Sequence, residues 1–203
     1  MILYLHGFRS SPLSTKAQML AKAVADADTN HLWVCPQLPA GPQDAINLCH
    51  NLIKAGAESP GNAAAKPLVI VGSSLGGFYA AWLAQYYRAH AVLLNPVVQA
   101  ARDLAGQVGE HTQYHSNEPF IFLPQYVSEL ASLQTGLPTD PDKLFLMACT
   151  GDEVLDWKEM ARTYAGCASR IINGSDHGIS DFERWMPEVL NFISEASRAP
   201  DTL

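Results

Sequence analysis

Along the chain, short apolar runs alternate with longer stretches in which apolar residues return every three or four positions. Ile2–Leu5 is the first run; His6-Gly7 ends it, and a loop through Arg9-Ser10-Ser11-Pro12 follows. Ser14 stands where a helix cap belongs, ahead of Ala17, Leu20, Ala21 and Val24 at helical spacing. His31–Cys35 reads as a second strand stopped by Pro36, and Asp44–Lys54 as a helix with Ile46, Leu48, Leu52 and Ile53 as its apolar content. A small-residue connector, Gly56–Lys66, leads to Leu68–Val71, a wholly apolar run of the kind that suits a strand covered on both faces. A helix is predicted from Leu75 to about Arg88, and further strands at Ala91–Leu94, Lys143–Ala148 and Ala168–Ile172. The last helix, Phe182–Ala196, carries Trp185, Val189, Leu190 and Ile193 on one side.

Strands that alternate with helices predict an α/β fold, a parallel sheet with helices on both faces. Residues 97–142 separate the fourth and fifth strands by far more than an ordinary connection. Long insertions in compact domains are usually functional, so this one is expected to form a small lid over the sheet. At 203 residues the whole chain, 1–203, suits one domain with that insertion inside it.

Composition narrows the function classes. Hydrophobic residues make up 48% of the chain, enough for a core and too many for intrinsic disorder. Lys and Arg total 13 against 20 Asp and Glu, a formal charge of −7 that repels phosphate backbones and anionic lipid; neither a nucleic-acid nor a membrane partner is expected. No apolar run approaches the ~20 residues of a bilayer span, and the opening Ile-Leu-Tyr-Leu is too short for a signal peptide's apolar segment. A cytoplasmic location is therefore expected, with Cys35, Cys49, Cys149 and Cys167 as reduced thiols.

The strongest chemical signal is Gly72-Ser73-Ser74-Leu75-Gly76, directly after an apolar strand and directly before a predicted helix. The pattern GxSxG alone is weak, but strand–turn–helix context makes it a nucleophile elbow. Such a turn lifts the serine oxygen clear of the sheet, and the glycines on either side let strand and helix approach. The helix N-terminus directs free N–H groups at the site, which favours developing negative charge. The glycine spacing centres on Ser74 rather than Ser73.

An elbow needs a carboxylate and then a histidine further along, at the ends of later strands. His177, in Asn173-Gly-Ser-Asp-His-Gly178 after the last strand, is the one histidine that follows Ser74 in such a position. His111 and His115 have the i,i+4 spacing of a helical metal pair, but no third ligand accompanies them and no metal is expected. His6 is read as orienting the first loop, not as the base, and no cofactor is called for. Four carboxylates compete for the acid role: Asp152, Glu153 and Asp156 after the fifth strand, and Asp176 beside the histidine. Asp152 fits best, because it follows the glycine that ends the strand; Asp156 also reads as a helix N-cap. For an oxyanion the expected backbone donors are the N–H groups of Leu75 and Phe8.

Tyr4-Leu-His-Gly-Phe8 with Ser10-Ser11-Pro12, Pro36-Gln-Leu-Pro39, Gly72-Ser-Ser-Leu-Gly-Gly77, Asn95-Pro96 and Thr150-Gly-Asp-Glu-Val-Leu-Asp156 together resemble the YqiA-like bacterial esterases, a compact branch of the α/β-hydrolases. The resemblance covers nearly the whole chain. It implies a serine esterase with Ser74, Asp152 and His177 as its triad, and a core that lacks the superfamily's two leading strands. Six parallel strands remain, expected in the spatial order 2-1-3-4-5-6, with the first and last helices on one face. One departure stands out: Ile179 occupies a position where an aromatic is expected shortly after the histidine.

The expected reaction is hydrolysis of small to medium acyl esters through an acyl-enzyme. Arg9, Phe120, Phe122 and Tyr126 are the candidate pocket residues. A thioester hydrolase with the same triad, or a hydrolase fold kept as a binding protein, are the alternative readings. Whether the chain is a monomer or a homodimer is not written in these motifs.

Overall fold

In a strand buried on both faces, alternate residues must serve two different cores, and that is how the apolar runs of this chain are used. A computed structural model describes residues 1–27, 31–58 and 67–198. Six strands form one parallel sheet: β1 (Ile2–Leu5), β2 (Trp33–Val34), β3 (Val69–Ser73), β4 (His90–Leu94), β7 (Leu144–Cys149) and β8 (Ala168–Ile172). Their spatial order is β2-β1-β3-β4-β7-β8, which is the predicted order once the six are counted on their own.

Ile2, Tyr4, Val69, Val71, Val92 and Leu94 face a core shared with α1 (Thr15–Asp26) and α7 (Phe182–Ala196). Leu3, Leu5, Ile70, Leu93 and Leu146 face the opposite core. That second core is covered by α2 (Pro42–Ala57), α3 (Leu75–Tyr87), α5 (Pro124–Ser132) and α6 (Trp157–Thr163). The first and last helices thus share one face, as right-handed crossovers require.

Three expectations are corrected. β2 shrinks from five residues to Trp33–Val34, which pair with Ile2 and Leu3. α2 starts two residues early, because Pro42 occupies the first helical position, where its missing N–H costs nothing. It also runs on through Gly56 and Ala57, so the predicted connector begins later; 59–66 lie outside the described residues.

The insertion is built rather than loose. It holds the short helix α4 (Ala100–Leu104), an antiparallel hairpin of β5 (Gly109–Thr112) and β6 (Pro119–Phe122), and then α5. Among the described residues no helix is long and apolar enough to cross a membrane.

Candidate active site

Ser74 occupies the single residue between β3 and α3, with φ 56° and ψ −121°. This left-handed conformation is strained for any residue with a Cβ, and it persists only where the surroundings enforce it. Here the Ser74 N–H donates to the Leu94 carbonyl at 3.0 Å. The Ser74 carbonyl accepts from Gly77 and Val97 at 2.9 and 3.1 Å. The glycines on either side are obligatory. A Cβ on Gly72 would lie 2.1 Å from the Gly76 carbonyl oxygen, and one on Gly76 would lie 2.0 Å from that of Leu5.

His177 and Asp152 arrive from the ends of β8 and β7. Ser74 Oγ lies 2.9 Å from His177 Nε2, and His177 Nδ1 lies 2.8 Å from Asp152 Oδ2. The Asp152 carboxylate is fully enclosed and its other oxygen accepts the N–H groups of Val154 and Leu155, both at 2.8 Å. Burial alone would push this carboxyl up. The hydrogen bond from His177, the Leu155 amide, the imidazole's charge and the Val154 amide outweigh burial and hold it below the ordinary aspartate value.

The competing carboxylates have other work. Asp156 accepts from the Lys158 N–H at 2.8 Å and caps α6. Asp176 accepts from the Ser180 N–H at 2.8 Å. Glu153 accepts the main-chain N–H of His177 at 3.0 Å, so it touches His177 through its backbone and not its ring.

Gly7 and Phe8 lie beside the serine: a Cβ on Gly7 would stand 3.2 Å from Ser74 Cβ. Leu75, as the first residue of α3, has an N–H with no acceptor inside the helix. His6 is 3% exposed, and its role is the predicted one. Its Nε2 accepts the Leu38 N–H at 3.0 Å, which leaves Nδ1 to donate to the Gly7 carbonyl at 2.9 Å. Burial pushes this imidazole's pKa down and so favours the neutral form that the arrangement needs.

A cleft of about 450 Å³ opens over Ser74 and His177. Gly7, Phe8 and Leu75 line one part of it, and Val97, Leu104, Tyr114 and Leu155 another. The four residues expected to wall this cleft do not line it. Phe120 and Phe122 point inward from β6 and pack edge-on against Phe8, with ring centroids 5.0 and 5.2 Å away, and Tyr126 packs behind Phe122. Arg9 turns outward at φ 59°, donates from Nε to the Thr112 carbonyl at 2.9 Å and lies over the Tyr114 ring. These side chains fasten the Gly7–Arg9 loop to the hairpin.

The helical spacing of His111 and His115 is also corrected. His111 lies on β5 and donates from Nε2 to the Gln107 carbonyl, whereas His115 in the turn pairs with Ser11. Among the described residues no group of three or more His, Cys, Asp or Glu side chains is arranged to hold a metal. Ile179, where an aromatic was expected, is buried against the α1–α7 core and leaves that part of the cleft to Gly178. Burial raises all four thiols, Cys35 to about 11 and Cys49 to about 12, so none competes as a thiolate.

Sequence reasoning missed Lys16, which lines the cleft and donates from Nζ to the Gly178 carbonyl. Asn95 entered the sequence reading only through the Asn95-Pro96 motif, with no role assigned, because its burial at the carboxyl edge of the sheet is a property of the fold.

The fold is that of the α/β-hydrolases, and solved structures of that class superpose on nearly the whole chain. A protein of Agrobacterium vitis S4 described as a hydrolase matches with a TM-score of 0.74 at 15% identity, over 95% of this chain and 87% of that one. Est1E from Butyrivibrio proteoclasticus, solved with ferulic acid bound, matches with a TM-score of 0.72 at 13% identity, over 98% and 89%. A monoacylglycerol lipase from Paleococcus ferrophilus matches with a TM-score of 0.68 at 12% identity, over 97% and 94%. Within that class the chain belongs to the uncharacterised protein family UPF0227, whose family model matches residues 1–194; this is the YqiA-like group that its motifs resemble.

Proposed function

We propose that this protein is a serine hydrolase of carboxylic esters that works through an acyl-enzyme. The observation that carries the proposal is the unbroken chain of hydrogen-bonding contacts from Asp152 through His177 to Ser74, on a strained elbow at the floor of an open cleft. His177 Nε2 takes the hydroxyl proton as Ser74 Oγ attacks the ester carbonyl. Asp152 keeps the other ring proton on Nδ1 and stabilises the imidazolium that forms. The N–H groups of Leu75 and Phe8 bind the oxyanion, each contributing a rate factor of about 10²–10³.

The tetrahedral intermediate expels the alcohol, which receives the proton from His177, and leaves the acyl group on Ser74. Water then gives its proton to His177 and attacks the acyl-enzyme, releasing the acid and restoring the serine. The cleft volume suits small to medium acyl groups, and the esterase and lipase names among the fold neighbours support an ester substrate.

The test is turnover of p-nitrophenyl esters with two to twelve acyl carbons, with matched acyl thioesters alongside, by the wild type and Ser74→Ala. Loss of turnover by orders of magnitude in the variant is expected, with an optimum at the shorter chains. Equal activity in the two proteins overturns the proposal. Selective turnover of thioesters alone would reassign the substrate class while leaving the nucleophile in place.

A further inference from the structure

Resting on that reading, we propose that Asn95 is a positioning residue for the reaction, a fully buried side chain that ties the base loop to the strand ends carrying Ser74 and Asp152. Asn95 is 0% exposed at the end of β4, with φ 40°. Its Oδ1 accepts the Cys149 N–H at 2.8 Å, three residues before Asp152. Its Nδ2 donates to the carbonyls of Asp176 and His177 at 3.2 and 3.0 Å. Both ends of the amide are therefore spent on the two segments that supply the acid and the base.

The backbone around Asn95 serves the third segment. Leu94 accepts the Ser74 N–H, and Val97 donates to the Ser74 carbonyl. Residues 94–97 thus bracket the strained Ser74 peptide while the Asn95 side chain grips the His177 peptide, so the distance from Ser74 Oγ to His177 Nε2 is set through one rigid node.

The His177 loop needs such a grip, because Gly174, Ser175 and Ile179 all have positive φ, and at Ile179, a β-branched residue, that conformation is unfavourable. The other ties on the loop are more exposed. Glu153 holds the His177 N–H from the surface, and Lys16 holds the Gly178 carbonyl at the cleft rim. Asn95 acts from inside the protein, where a hydrogen bond is not in competition with water.

The test compares wild type with Asn95→Asp and Asn95→Ala, each checked for a folded near-ultraviolet circular dichroism signal and assayed well below its Tm. Asparagine and aspartate tolerate the left-handed backbone better than alanine, so Asn95→Asp keeps the test open if the alanine variant fails to fold. The expected result is a fall in kcat of about 10- to 100-fold with KM changed by less than about threefold, since a displacement of the order of 1 Å at the base costs about that much. Inactivation by a fluorophosphonate falls in the same proportion.

Asn95→Asp adds a sharper readout. A protonated carboxyl can still donate to one of the two carbonyls, whereas an ionised one repels both. Its activity relative to wild type therefore declines as pH rises. A folded variant with full kcat, or a relative activity of Asn95→Asp that does not change with pH, overturns the inference.

A third measurement needs no turnover. Hydrogen exchange of the amides at His177 and Gly178 is expected to speed up in both variants, and unchanged exchange contradicts the inference. Failure of the hydrolase reading is distinct: there the wild type itself neither turns over esters nor reacts with the fluorophosphonate.

Discussion

Replacement of Asp152 by asparagine isolates what the carboxylate contributes without changing its shape. In the native site Asp152 Oδ1 accepts two main-chain N–H groups, from Val154 and Leu155, each at 2.8 Å. An asparagine must keep its carbonyl oxygen on those two donors, because turning the amide over would set its NH₂ against them. The NH₂ group then faces His177 Nδ1, 2.8 Å away in the native geometry, and donates to it. A neutral imidazole that accepts at Nδ1 carries its proton on Nε2, the nitrogen that faces Ser74 Oγ at 2.9 Å. The base then points a proton at the proton it must remove. The expected fall in kcat is about 10³- to 10⁴-fold, roughly 4–5.5 kcal/mol of barrier. The assay is steady-state hydrolysis of p-nitrophenyl butyrate at pH 7.5, with a thermal melt to show that the variant is folded. A loss smaller than tenfold in a folded variant would refute the assignment of tautomer control to Asp152.

Further outcomes follow from the same geometry. Gly76→Ala places a methyl group 2.0 Å from the Leu5 carbonyl oxygen and 2.6 Å from that of His6, both backbone atoms, and should destabilise beyond the 1–3 kcal/mol usual for overpacking; soluble yield and Tm report it. Phe8→Ala keeps the proposed oxyanion N–H but removes the ring seated against His111, Phe120 and Phe122, so kcat should fall by about 10- to 100-fold with a smaller change in KM; unaltered kcat would show that the hairpin does not position the loop. The Asp152 carboxyl titrates below its ordinary value in the folded state, so it contributes stability above about pH 4 that is lost as pH falls through the folded value. Melts from pH 7 to pH 3 should therefore show the Tm advantage of wild type over Asp152→Asn shrinking in the acid range.

What the sequence made legible depended on how local the determining physics was. The last strand and last helix were predicted at Ala168–Ile172 and Phe182–Ala196, the bounds observed, because turn residues punctuate both ends of each. The elbow could be read because its requirements are local, a serine between two backbone approaches too close for any Cβ. The order of serine, carboxylate and histidine located the other two partners at strand ends, and the parallel sheet then gathers those ends on one edge.

The insertion was read less well. Along β6, Phe120 and Phe122 are buried while Pro119 and Ile121 are exposed, yet all four residues are apolar, so the sequence shows a continuous apolar run rather than the alternation of a half-buried strand. An apolar run shows that something covers it without showing what, and here the cover of Phe120 and Phe122 is Phe8 and the core rather than a substrate. Likewise the spacing of His111 and His115 fits a helix and a bent hairpin equally well. Asn95-Pro96 is legible as a motif, but the role of Asn95 is not: it exists only because β7 and the His177 loop meet β4 in space.

Covalent capture tests the central claim most directly. The folded protein is treated with a fluorophosphonate and the modified peptide is mapped by mass spectrometry. The account predicts a single stoichiometric adduct on Ser74, absent in Ser74→Ala and formed far more slowly in His177→Ala. A folded protein that forms no adduct, or one that carries it on Ser73 or elsewhere, would contradict it.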